Sequence, residues 1–577
     1  MFKLLNTDIK ASAFIVLISA LLFIPFIGNM PLFDWDEINF AECAREMLVT
    51  NNYSNVQLYY QPFWEKPPLF IWFQAISMNV FGINEFAARF PNAVCGIVTL
   101  LVLYFTGKKL NDNKFGLVWA FVYAATLLPQ VFFKSGIIDP WFNLFIYIAV
   151  YYLILHTNNP VGKFAYKTAI LSGVFLGFAL LTKGPAALII VGLTLVLFFV
   201  SYRLKKISEL KYILVFFASF FVVGLSWFTI EYLKGNEHII REFIIYQIRL
   251  VKTQDSDHGG PFIYHFVVLL IGCFPSSLLF IISHKSSLSD TNFQKHTKLW
   301  MMSLFWVVLI LFSFVVQTKI VHYSSLCYFP LTYLATYSIL KLQSNAFAWK
   351  KWLHISFIVI TSILGILFIA IAFIEQLKPY IIQSNLIDDA FAVENLKANV
   401  HWNGFEWFIG VVFLIAILYC LVKIKAGNKK MIYGIFLTTL ITTNSLLLHV
   451  APKVEQYSQH AAIEFYKACA KHHFLVETIS FKSYASLFYS ELSSDISTNK
   501  SCNEFITAKK NDLEKEGIDA TPKYPLFYMQ WLAEKASHQT ICLVAKCTDE
   551  DLQQRYPNFT ELYRKNGFIF LLKKTPQ

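Results

Sequence analysis

Apolar runs of about twenty residues recur along most of the chain, long enough for helices to cross a lipid bilayer. They fall at roughly 12–30, 91–107, 115–133, 138–156, 166–182, 185–202, 212–231, 262–284, 299–316, 324–341, 352–374, 404–422 and 431–450. The pattern predicts a polytopic α-helical membrane protein with about thirteen transmembrane helices. No small-residue cleavage site follows the first run, where the chain reads "PLFDWDEINF", so that run is expected to be an uncleaved span.

The polar stretches between the runs set the orientation. "GKKLNDNK", "SYRLKKISELK", "KLQSNAFAWKK" and "KIKAGNKK" are short and basic, and are expected on the cytoplasmic side. The alternating loops, about 31–90, 232–261 and 375–403, are longer and carry mixed charge, and are expected on the periplasmic or outer face. In the first of them Phe40, Ala44, Met47 and Leu48 recur at helical spacing, which predicts an amphipathic helix along the membrane surface. Two domains are expected: a membrane domain over 1–450, with first outer loop 31–90, and a small extracytoplasmic α/β domain over 451–577. In the second, strand-like "TICLVAKC" and "GFIFLLKK" alternate with helix-like "SQHAAIEFYKACAKHH".

Composition agrees with this layout. The 577 residues are 56% hydrophobic and 15% charged, with 57 phenylalanines, whereas soluble domains carry about 25% charged residues. The formal charge of +12 sits mostly between the apolar runs and reads as membrane orientation, not nucleic-acid binding. Four of the nine cysteines, Cys469, Cys502, Cys542 and Cys547, lie in the C-terminal segment, where an oxidising compartment permits disulfides. There is no P-loop, Rossmann fingerprint or Cys-x-x-Cys pair.

The chemistry-bearing residues gather in the outer loops. Asp34, Asp36 and Glu37 open the predicted amphipathic helix, placed either to cap it or to hold a general-base carboxylate at the membrane boundary. In "WEKPPLFIW" the prolines restrict the backbone beside Glu65 and Lys66. Neighbours in extended chain point opposite ways, so the two are expected to serve different partners. Asp139, Lys183, Arg249, Lys319, His322 and Tyr323 stand at or near outer span ends. Each alone is compatible with snorkelling or capping. Together they place cations suited to a lipid phosphate beside carboxylates suited to proton transfer or metal binding. A flippase or transporter of a lipid-linked sugar is the alternative, and it would call for charges at mid-span and repeated broken helices.

"DEINFAECAREML", "WEKPPLFIWFQA", "NEFAARFPNAV", "LTKGP", "HGGPFIYH" and "KIVHY" resemble motifs of membrane glycosyltransferases related to the protein O-mannosyltransferases. The resemblance is greatest to the lipid A aminoarabinose transferase group, glycosyltransferase family 83, and covers about the first 340 residues. Val321 stands where that group commonly has proline. The resemblance implies a C-type glycosyltransferase (GT-C) fold in the inner membrane, with its active site and C-terminal domain facing the periplasm. It implies inverting transfer of a sugar, aminoarabinose or another, from a polyprenyl (undecaprenyl) monophosphate to lipid A or another lipid, glycan or protein acceptor. It further implies Asp36, with Glu37 and Asp139, as the catalytic acids, and Lys66 on the donor phosphate, where Arg249, Lys319, Tyr323 and Lys183 can join it. Glu65 and His258 match positions linked to a metal such as zinc.

Overall fold

A computed structural model describes residues 7–202, 208–252, 259–284, 290–494, 499–515, 524–534 and 540–573. Each predicted apolar run is largely helical. Seven helices among the described residues are long and apolar enough to cross a membrane: Glu85–Leu110, Asp139–Asn158, Gly162–Lys183, Asn292–Val315, Lys351–Ala372, Trp407–Lys425 and Lys429–Glu455. Two bent pairs raise the number to nine, Asn113–Ala124 with Leu127–Phe133 at 75° and Leu210–Gly224 with Ser226–Leu233 at 51°. Other runs form shorter helices, such as Asp8–Phe23, Ala186–Tyr202 and Tyr328–Gln343. Exposed Leu, Ile, Val and Phe side chains on these helices form the surface that lipid covers.

Helix ends set the geometry of the site. Asp139 is the first residue of Asp139–Asn158, and Lys183 is the last of its neighbour Gly162–Lys183. The two helices are joined by a short turn and pack against each other, so those ends meet. Gly184 stops the second helix at φ +95°, a conformation open to glycine and costly for other residues.

The helix of the first outer loop is covered by protein on its polar face as well as its apolar one. In this helix, Asp36–Thr50, every residue from Glu37 to Met47 is buried. The apolar face packs on the membrane helices and the C-terminal segment. The polar face is closed by ion pairs, with Arg45 donating to both carboxylate oxygens of Glu42 at 2.6–2.7 Å and to the carbonyl of Leu492. The hairpin β1 (Gln57–Leu58) to β2 (Gln61–Pro62) turns on Tyr59 and Tyr60, both at φ +58°. That turn drives both side chains into the C-terminal segment, where Tyr59 Oη donates to Glu477 and Tyr60 Oη to the Leu492 carbonyl.

The C-terminal segment carries a four-stranded sheet in the order β3 (Leu475–Thr478), β4 (Ile541–Lys546), β6 (Phe568–Lys573), β5 (Thr560–Lys565). The first pair is parallel and the others antiparallel. Its buried residues, among them Tyr466, Leu487 and Phe570, form one apolar core with Ile38, Ala44 and Ile71 of the first outer loop. All nine cysteines are free thiols.

Candidate active site

Four side chains from four distant stretches meet beside the start of the helix Asp36–Thr50. Asp36 stays partly open to solvent, and its Oδ2 lies 3.3 Å from His322 Nε2. The same nitrogen lies 3.7 Å from Asp139 Oδ2, and Lys183 Nζ donates to Asp139 Oδ1 at 2.7 Å. The sequence offered His322 as a boundary residue without a role. Folding makes it the link between the two acids. Burial and the Lys183 and Lys66 charges hold its imidazole below the ordinary value, while Asp139 and Asp36 oppose that shift. Lys183 also lies over the ring of Tyr323, 5.0 Å from its centre.

The Ser135–Asp139 stretch is held from below. Asn92 Nδ2 donates to the carbonyls of Ser135 and Ile137, and Gln74 Nε2 to those of Ala88 and Gly136. Gly136 is needed here because a Cβ would lie 3.0 Å from Glu37 Cγ.

Glu65 and Lys66 both meet Tyr246 of the helix Glu237–Lys252. The Tyr246 hydroxyl donates to Glu65 Oε2 at 3.0 Å, and Lys66 Nζ stands 5.2 Å from the ring centre. Arg249 lies over the same ring, also at 5.2 Å. Beyond that shared contact the pair divides. Lys66 is within electrostatic reach of His322, and Glu65 of Cys43 and Tyr484. His258, the other half of the expected metal pair, lies outside the described residues. Among the described residues, no three His, Cys, Asp or Glu side chains converge to hold a metal ion.

Two expected site residues are otherwise engaged. Glu37 is buried, and its carboxylate accepts from Arg89 Nε and Nη2 at 2.8 Å and from the backbone N–H groups of Phe33 and Gly136. These four donors fill its acceptor sites. Arg89, for which the sequence suggested no partner, spends its remaining donors on the carbonyls of Ile27, Met30 and Pro31. Lys319 Nζ donates to the carbonyls of Phe312, Ser313 and Val316 at 2.5–2.9 Å. Its three hydrogens are taken up by carbonyls at the π-helical end of the helix Asn292–Val315.

The C-terminal segment reaches the same place. Asp34 Oδ1 accepts from the backbone N–H of Trp35 at 2.9 Å and of Tyr484 at 3.1 Å. Burial raises the Asp34 carboxyl above the usual range, opposed by these bonds, by Ser483 and by Lys482.

Known proteins carry related sequences. The Dolichyl-phosphate-mannose-protein mannosyltransferase family profile matches residues 65–227. The chain is 29% identical over 379 residues to the undecaprenyl phosphate-alpha-4-amino-4-deoxy-L-arabinose arabinosyl transferase of Wigglesworthia glossinidia brevipalpis, covering 64% of this chain and 65% of the relative. It is 24% identical over 360 residues to the protein of the same name from Aeromonas salmonicida, covering 61% and 64%. The chain thus spans just under two thirds of the length of these relatives. The crystal structure of ArnT from Cupriavidus metallidurans bound to undecaprenyl phosphate superposes with a TM-score of 0.72 at 15% identity, over 98% of this chain and 99% of that one. This chain is therefore a membrane protein of the GT-C fold, and it resembles the aminoarabinose transferases.

Proposed function

We propose that this protein transfers a sugar from a polyprenyl monophosphate to an acceptor of the lipid A type at the periplasmic face of the inner membrane. The relatives' names point to undecaprenyl phosphate and 4-amino-4-deoxy-L-arabinose as the donor. The observation that carries the reading is the Asp36–His322–Asp139–Lys183 chain at one end of the helices, with Lys66 within electrostatic reach of it. A flippase would need charges along a path through the membrane. Here acids and bases meet at a boundary, where a lipid-linked phosphate presents its sugar.

In this reaction an acceptor oxygen attacks the anomeric carbon. A new C–O bond forms as the bond to the donor phosphate breaks, and the electron pair leaves with the phosphate. One displacement from the opposite face inverts the anomeric centre. Negative charge builds on the departing phosphate, where Lys66 and Arg249 stabilise it. Asp36 takes the proton of an attacking hydroxyl, or orients an acceptor phosphate that is already anionic. His322 Nε2 stands between the Asp36 and Asp139 carboxylates, nearer Asp36, and Lys183 pairs with Asp139. Glu65 and His258 are the candidate ligands of a divalent metal such as zinc, a role that rests on the resemblance to the family. Glu37 and Lys319 serve the scaffold.

The test is transfer from a polyprenyl-phosphate sugar by Asp36→Asn and Lys66→Ala proteins. Removing a catalytic carboxylate costs about 100-fold to 10,000-fold, and loss of Lys66 raises the donor KM. Full activity in both variants would sink the assignment.

A further inference from the structure

Trp35, the residue before Asp36, has φ 74° and ψ −113°, a backbone conformation that bulky L-residues rarely adopt. Such strain persists where the surroundings enforce it, and it concentrates at ligand sites. The enforcement is visible. Asp34 accepts from the Trp35 N–H, the Asn39 N–H donates to the Trp35 carbonyl at 2.8 Å, and the Tyr484 N–H locks Asp34 from the C-terminal segment. What this arrangement presents is a tryptophan outside the core, since Trp35 stays 42% exposed. Tyr484 meets it at 85° with centres 6.1 Å apart. Exposed Lys482 places its ammonium 5.6 Å from the indole centre and 4.8 Å from that of Tyr484.

We propose that Trp35 and Lys482 form the acceptor subsite, taking the phosphorylated sugar headgroup of a glycolipid beside Asp36. The C–H face of a sugar ring stacks on indole, and an ammonium held next to that ring meets the phosphate. The cations assigned to the donor, Lys66 and Arg249, sit instead over Tyr246. The two substrates therefore meet separate clusters with Asp36 between them in the reaction. The C-terminal segment, through Lys482 and Tyr484, takes part in acceptor choice. This inference rests on the transferase reading.

Acceptor and donor are titrated separately with purified full-length protein. Trp35→Gly relieves the positive φ and so keeps the fold while removing the ring. It is expected to raise the acceptor KM about tenfold, in the range of a lost aromatic contact, and leave the donor KM unchanged. Trp35→Phe recovers most of that loss. Lys482→Glu raises the KM for a phosphorylated acceptor about tenfold more than for the same glycolipid without its phosphate, a selectivity that a merely structural role would not produce. Wild-type acceptor KM in both Trp35→Gly and Lys482→Glu, or an equal shift in the donor KM, overturns the subsite while wild-type transfer stands. If the wild-type protein transfers no sugar to a phosphorylated glycolipid, the transferase reading fails and the subsite with it. Lys482→Glu is decisive even if Trp35→Gly does not fold.

Discussion

Glu37→Gln separates a structural acid from a catalytic one. Glu37 and Arg89 form a buried pair, with side chains 1% and 0% exposed. All five Arg89 donors and all four Glu37 acceptor sites are used. The amide removes the negative charge opposite a guanidinium that stays protonated in any protein. It also turns an –NH2 towards donors. Breaking one side of a buried pair costs roughly 3–5 kcal/mol, because the remaining charge loses its partner without regaining water. Thermal unfolding of the purified protein in detergent, followed by intrinsic fluorescence, should therefore show a midpoint lowered by many degrees. Transfer per folded molecule at low temperature should stay close to wild type. Asp36→Asn is the mirror case, since its side chain is 42% exposed: stability kept, transfer lost. A Glu37→Gln protein with the wild-type midpoint but with transfer reduced as far as in Asp36→Asn would refute the reasoning.

Lys319→Met leaves three carbonyls without their cap and should cost on the order of 3 kcal/mol, measured as a lower unfolding midpoint, with the donor KM unchanged. Glu477 is buried under Tyr59, and burial pushes its carboxyl up to about 7 from an ordinary 4.5. The folded protein then binds more protons than the unfolded chain between those values, so this group makes stability fall as pH rises from about 4.5 through 7, by about 3 kcal/mol in all. Glu477→Gln, which mimics the protonated acid, should raise the midpoint at pH 8 and flatten that part of its pH profile.

Local pattern carried a large part of this structure. Apolar run length gave the helices, because a bilayer imposes one requirement on every span. The clustering of charge at span ends named Asp36, Asp139, Lys183 and His322, which the fold brings together. Composition could not separate Asp36 from Glu37. The two are adjacent in sequence, and what divides them is Arg89, 52 positions away from Glu37. Lys319 read like Lys66 until three backbone carbonyls were seen to take its hydrogens. The amphipathic period of 36–50 marked an apolar face, but the polar face is buried as well, where Arg45 pairs with Glu42 and Arg89 with Glu37. His322 gained its role only by contact, and Trp35 only by its backbone angles, which no residue pattern announces.

In the proposed reaction one site both releases the donor phosphate and glycosylates an acceptor. The most direct measurement counts both products in a single reaction. Purified protein is given a polyprenyl-phosphate sugar and a phosphorylated glycolipid, and mass spectrometry quantifies free polyprenyl phosphate and sugar-modified glycolipid. Equal amounts of the two, both abolished in Asp36→Asn, are predicted. Donor carried across liposome membranes with neither product formed would contradict the account.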